Sequence, residues 1–207
     1  MVKLRFIVAS ALLCVLPGAL IITAQTNLLI NPNADFGIEG WRAHGKATVE
    51  EFNGNKVFVV RQDDNDQIYS FTQIVNLAKS DIGKYALLIG LGSSERINAD
   101  AAITDLPYLY GYMLKVNNPN GGIINAYLQG QQMLARSSQS NKWVVMWGIF
   151  RVPESTVGIQ FFLMQAARKY VPPNGSAARF DDLGLYLFES EEGAVQFVDT
   201  YKGSMRK

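Results

Sequence analysis

Beyond residue 25 the chain alternates short apolar runs with clusters of turn-forming residues. The runs are "KATVEEF", "NKVFVVRQ", "QIYSFTQIVNL", "KYALLIGLG", "YLYGYMLKV", "GIINAYLQGQQML", "KWVVMWGIFRV", "TVGIQFFLMQA" and "SAARFDDLGLYLF". They are rich in Val, Ile, Phe, Tyr and Leu and have the length of strands. Such runs, separated by turn signals, predict an antiparallel β-sandwich or barrel. The punctuation is "NGN" at Asn53, "NNPNGG" at Asn117, "RSSQSN" at Arg136 and "PPNGS" at Pro172, of which Pro-Asn-Gly-Gly is the strongest hairpin cue. Only "SEEGAVQFVDTYKG" has helical spacing, with Ala194, Val195, Val198 and Tyr201 on one side. It predicts a short C-terminal helix or tail over residues 191–207. No linker, repeat or low-complexity block interrupts residues 25–190, so one domain is expected there.

The first 24 residues follow a different pattern. Lys3 and Arg5 precede an apolar run over residues 6–22 that contains no charge, and Thr23-Ala24 supplies small residues at a cut. This is the grammar of a secretory signal removed after Ala24; an uncleaved anchor is the alternative. A secreted, periplasmic or cell-surface protein is expected, with membrane association only if the segment is retained. Cys14 is the single cysteine of the chain. Residues 25–207 therefore hold no disulfide framework, thiolate nucleophile or thiolate metal site. Removing Lys3 and Arg5 from the 19 basic residues leaves 17 against 18 acidic ones, a net charge of minus one. Nucleic-acid affinity draws on clustered Lys and Arg, so no nucleic-acid partner is expected.

One run carries a row of aromatic residues. In "DLPYLYGYML" Tyr108, Tyr110 and Tyr112 occupy every second position, which in an extended chain places them on one face. In "NAYLQGQQM" the same alternation groups Asn125, Tyr127, Gln129 and Gln131. Amides rarely line a core without partners, so this second face is expected to be wet. If the hairpin at Asn117 pairs the two runs, phenol rings stand beside amides. Flat rings take the apolar face of a sugar, and amides both donate to and accept from its hydroxyls. The row is equally compatible with a buried stripe or a surface for another protein.

Four pieces of the chain together resemble one family. "NLLINPNADFGIEGW" (residues 27–41), "FTQIVNLAKSDIGKYAL" (residues 71–87), "WVVMWGIFRVP" (residues 143–153) and "ARFDDLGLYLF" (residues 178–188) resemble, in order and spacing, the segments of carbohydrate-binding modules with the galactose-binding-like jelly-roll fold. The opening is also similar to that of F-box-associated domains, which share the fold. The resemblance implies an all-β antiparallel jelly-roll sandwich acting as a non-catalytic binding module for neutral carbohydrate. The alternative is a cell-surface structural or adhesive protein that binds another protein through the same aromatic face. It also implies a structural calcium ion held by Asp35 and Asp181, since calcium takes six to eight oxygen ligands from carboxylates and carbonyls. It makes Trp41 and Trp143 core residues, and Phe161, Phe162, Phe180 and Phe188 are expected in the core by default. Residues 93–132 depart from the family pattern.

Catalytic candidates are few. His44 is the only histidine, and Asp63, Asp64 and Asp66 form an acidic turn in "RQDDNDQ". A triad or a pair of carboxylates across a cleft needs partners that these residues do not bring with them. No enzyme is expected.

Overall fold

The computed structural model describes residues 25–62, 69–95, 107–116, 123–124, 132–134, 141–165 and 176–204. The signal-like segment and the acidic turn at Asp63, Asp64 and Asp66 lie outside them. Eleven strands and one helix follow in order: β1 (Arg42–His44), β2 (Ala47–Phe52), β3 (Asn55–Gln62), β4 (Ser70–Asn76), β5 (Tyr85–Ser94), β6 (Pro107–Val116), β7 (Ile123–Ile124), β8 (Gln132–Leu134), β9 (Val144–Arg151), β10 (Thr156–Gln165), β11 (Ser176–Phe188) and α1 (Glu191–Ser204). The strands form two antiparallel sheets. The first has the order β1-β4-β10-β6-β7, with β8 also on β6; the second has the order β2-β3-β11-β5-β9. Among the described residues no helix is long and apolar enough to cross a membrane.

Eight of the nine predicted runs coincide with strands, the ninth is described only at its two ends, and alternation decides what each strand buries. On β10, Ile159, Phe161 and Leu163 are fully buried between the sheets, whereas Gln160, Phe162 and Met164 retain partial exposure on the other side. Phe162 is therefore not a core residue, in contrast to the expectation from composition. Opposite Phe161, the second sheet contributes Phe58, Leu88, Met146, Phe180 and Leu185 to the same core. Trp41 sits among them, its ring 5.0 Å from that of Phe58 and 5.9 Å from that of Phe161. Its indole N–H donates to the carbonyls of Ile30 and Asn31, so the polar edge of a buried ring is satisfied.

A bulge in β11 changes which residues face inward. The register with β5 shifts between Asp181 and Gly184, and Asp182 has φ of 47°. Before the bulge Phe180 points to the core; beyond it Leu183 and Leu185 do. One irregularity therefore moves Phe188 to the outside of the second sheet, since every later side chain changes face.

The outer face of the second sheet is covered. The helix α1 begins where the Ser190 hydroxyl accepts from the Gly193 amide, with Glu191 and Glu192 at its positive end. Its residues Ala194, Phe197, Val198 and Tyr201 pack on Leu87, Ile89, Tyr186 and Phe188, while Val195 faces out at 40% exposure. Lys202 lies 4.6 Å above the Trp147 ring. The rest of this face is closed by a separate layer. Val57, Val59 and Ala177 are buried beneath Phe52 and Trp143, so Trp143 is an outer-face residue and not part of the central core. Arg179 is buried, stacks 4.2 Å from the Phe52 ring and donates to Asn141 and Glu95.

Candidate functional site

The outer face of the first sheet differs from this. Register lines its strands up in rows. His44 is opposite Ser70, Ser70 opposite Met164, Met164 opposite Tyr108 and Tyr108 opposite Leu134. Arg42, Thr72, Phe162, Tyr110 and Gln132 form the next row, and Ile74, Gln160 and Tyr112 the third. Directly opposite residues of an antiparallel pair share a face. Because Gln160, Phe162 and Met164 lie on the side away from the core, the positions of Tyr112, Tyr110 and Tyr108 belong to the outer face. Leu109, Gly111 and Met113 are the positions opposite the buried Leu163, Phe161 and Ile159.

This face remains partly open: Ile74 is 55% exposed, and Gln160, Phe162 and Met164 are partly so. Its polar positions are hydroxyls and amides, Thr72, Asn76, Gln160 and Gln132. The six strands contain no Asp or Glu, and Arg42 and Lys115 are their only formal charges. His44 lies exposed on the edge strand β1, with no acidic residue among its strand partners.

Of the amide-bearing run only the two ends are described. Its ends, β7 and β8, both pair with β6, so the expected neighbour is present. Asn125, Tyr127, Gln129 and Gln131, however, lie outside the described residues. The register between the ends is displaced: the Lys115–Ile124 pairing continued without interruption sets residue 129 opposite Tyr110, and the residue found there is Gln132. The two registers differ by three residues. An odd shift exchanges faces, and so the amide opposite Tyr110 is Gln132, a residue that alternation from the start of the run assigns to the other side.

A second polar site lies at the junction of the first turn and the last strand. An open cavity of about 490 Å³ is lined by Asn33, Asp35, Gly54, Asn55, Lys56, Asp181 and Asp182. It unites Asp35 and Asp181, the two residues singled out for calcium. Burial pushes the Asp181 carboxyl above the usual carboxylate range, and the neighbouring charges of Asp182 and Asp35 act in the same direction. Such a carboxyl favours a nearby cation. The Lys56 ammonium, 3.0 Å from the Asp35 carbonyl, contributes one. Among the described residues no three acidic or histidine side chains converge as a ready metal cage. The donor set is nevertheless all oxygen, the chemistry of calcium and not of zinc. Any ion there completes its shell from carbonyls, amides and water.

Helix α1 touches this junction from behind. The Tyr201 hydroxyl donates to the Asp182 carbonyl at 2.8 Å, and burial of that phenol drives its acidity well below the ordinary value. The sequence offered no signal for this contact, since it joins a helix to a bulge that is visible only in the pairing register.

No protein-family profile and no curated protein matches the chain. Among solved structures it is similar to one described as a "Family 16 Carbohydrate Binding Module-2", with 14% identity, 77% of this chain and 99% of that chain covered, and a TM-score of 0.51. It is also similar to the enzymatically active domain of tailspike protein 4 of bacteriophage CBA120, with 14% identity, 78% of this chain covered and a TM-score of 0.53. The match spans 21% of that second protein's chain. At these identities the likeness concerns the fold. The chain has the two-sheet β-sandwich fold of carbohydrate-binding modules, with one C-terminal helix.

Proposed function

We propose that this protein is an exported, non-catalytic module that binds a neutral glycan on the outer face of its first sheet. The observation that carries this reading is the contrast between the two outer faces. Helix α1 and the Phe52–Trp143–Arg179 layer close one, while the other stays partly open and carries the register positions of three tyrosines beside hydroxyls and amides. Sugar rings stack on aromatic faces, and each stacked ring adds to simple burial. The absence of carboxylates from the six strands suits a ligand without positive charge and leaves no acid pair for glycoside cleavage there.

The test is a glycan array followed by calorimetric titration of residues 25–207, with Tyr110→Ala beside the parent. The central tyrosine position is expected to be worth about tenfold or more in Kd, roughly 1.4 kcal/mol. Equal affinity of the variant removes the tyrosine row from the site. No saturable binding by a folded parent moves the assignment to a protein partner at the cell surface.

The cavity at Asp35 and Asp181 receives a structural calcium ion in the same proposal. When bound, the ion ties the first turn to the last strand; Asp35 and Asp181 supply carboxylates, and Lys56 has to swing aside. Calcium at a hundred times its Kd is then expected to stabilise the protein by about 2.7 kcal/mol, a rise in Tm of about 5–10 °C for a chain of this size. Asp181→Ala is expected to lose that rise. Identical melting of the parent in calcium and in chelator sinks the ion.

A further inference from the structure

Of the large apolar side chains exposed among the described residues, three belong to the first turn and one to the proposed glycan face. They are Ile30 at 57%, Phe36 at 74%, Ile38 at 50% and Ile74 at 55%. The first three belong to the turn that leads into β1, and that turn is fastened to the sheet. The Gln73 side chain accepts from the Ile30 amide at 2.7 Å and donates to the Ile30 carbonyl at 3.1 Å. Ile30 lies against Gly40, where an added methyl group would meet it at 2.7 Å. Gly40 immediately precedes the indole that anchors the turn in the core. The turn is therefore held in place on the inner side of β4, and of the four only Ile74 lies on the outer face.

Ile74 belongs to the face itself. It stands between Thr72 and Asn76 on the outer side of β4 and is directly opposite Gln160, which is opposite Tyr112. A ligand made only of hydroxyls gains nothing from an exposed isoleucine, because every hydroxyl laid on it forfeits a hydrogen bond to water. A methyl group does gain from it. Beside that aliphatic surface, at the roughly 5 Å spacing of paired strand positions, stands a primary amide able both to donate and to accept. An acetamido group has the matching halves: a methyl for the isoleucine, and a carbonyl and N–H for the glutamine.

Resting on the glycan-binding proposal, we infer that the ligand is an N-acetylated glycan, its acetamido methyl seated on Ile74, its amide at Gln160, and its sugar ring at the Tyr112 position. The matched probes are the β-1,4-linked tetramers of N-acetylglucosamine and of glucose, which differ in carrying an acetamido group or a hydroxyl at C2. Titrated calorimetrically, the acetylated tetramer is expected to bind about fivefold tighter or more, the yield of one buried methyl and one added hydrogen bond. Ile74→Thr keeps a β-branched residue at an exposed strand position, so its melting should follow the parent's. It should weaken the acetylated tetramer and leave the glucose tetramer unchanged, bringing the two together. Equal affinities in the parent, or a preference that survives Ile74→Thr, overturn the acetamido assignment while Tyr110-dependent binding of either tetramer leaves the glycan face standing. Binding of neither tetramer, with another glycan bound through Tyr110, overturns the acetamido assignment alone; binding of no glycan at all overturns both.

Discussion

Replacing Trp41 with alanine is expected to cost about 3–5 kcal/mol of stability, the range for losing a large buried aromatic side chain. The ring is 6% exposed and wedged between Phe58 and Phe161, so truncation opens a cavity bounded by both sheets and not at a surface that can collapse. The indole also donates to the carbonyls of Ile30 and Asn31. Without it, the buried Asn31 carbonyl loses this donor and the Ile30 carbonyl keeps only the one from Gln73. Trp41→Phe separates the contributions: it refills most of the volume, lacks the N–H, and is expected to lose about 1–3 kcal/mol. Chemical denaturation of the three proteins measures both. Because the indole fastens the turn that bears Ile30, Trp41→Phe is also expected to loosen that turn before the sandwich itself fails.

Val198→Asp tests the other face and is expected to cost about 3 kcal/mol or more. Val198 is 1% exposed and lies at the centre of the contact between α1 and the second sheet, with Leu87 and Ile89 beneath it. Lys202, one turn further on, is held over the Trp147 ring, and a carboxylate at position 198 is buried among apolar side chains. Its pKa in the folded state is raised, and the sign follows: the neutral acid is tolerated better than the anion, so the loss of stability shrinks as pH falls and is full at neutral pH. Denaturation at acidic and neutral pH, compared with the parent at each, shows this directly. Since α1 covers the sheet opposite the tyrosine row, glycan affinity of the molecules that remain folded should not change. A loss of affinity at full folding places the binding face on the second sheet and refutes the assignment of faces made above.

The strands themselves were legible. The run "NKVFVVRQ" became β3 and "SAARFDDLGLYLF" became β11 without change of bounds, because half-buried strands impose a period of two that the side chains record locally. Their spacing pointed to an antiparallel sandwich or barrel, and the family resemblance singled out the two-sheet sandwich that the fold shows. The helix was visible in the spacing of Ala194, Val198 and Tyr201, although Phe197 and not Val195 completes its buried stripe. The pairing of β6 with β10 is regular from Tyr108 to Tyr112, so by the same period of two the three tyrosine positions share one side.

What the sequence by itself determined, then, is each element and the alternation within it. Which side of each strand faces the partner sheet is not a local property. It depends on register, and register is altered by single irregularities that leave little mark on composition: the bulge at Asp181 sends Phe188 outward, and the pairings of β7 and β8 with β6 differ by three residues, so that residue 132 holds the position opposite Tyr110. Nor can the chain alone say which outer face is closed. That is settled by helix α1 and by the Phe52, Trp143 and Arg179 side chains closing one sheet and not the other. Tertiary structure alone decided it, because burial is a matter of what arrives on a surface: α1 follows β11 directly, yet it also covers Leu87 and Ile89 of β5, far earlier in the chain.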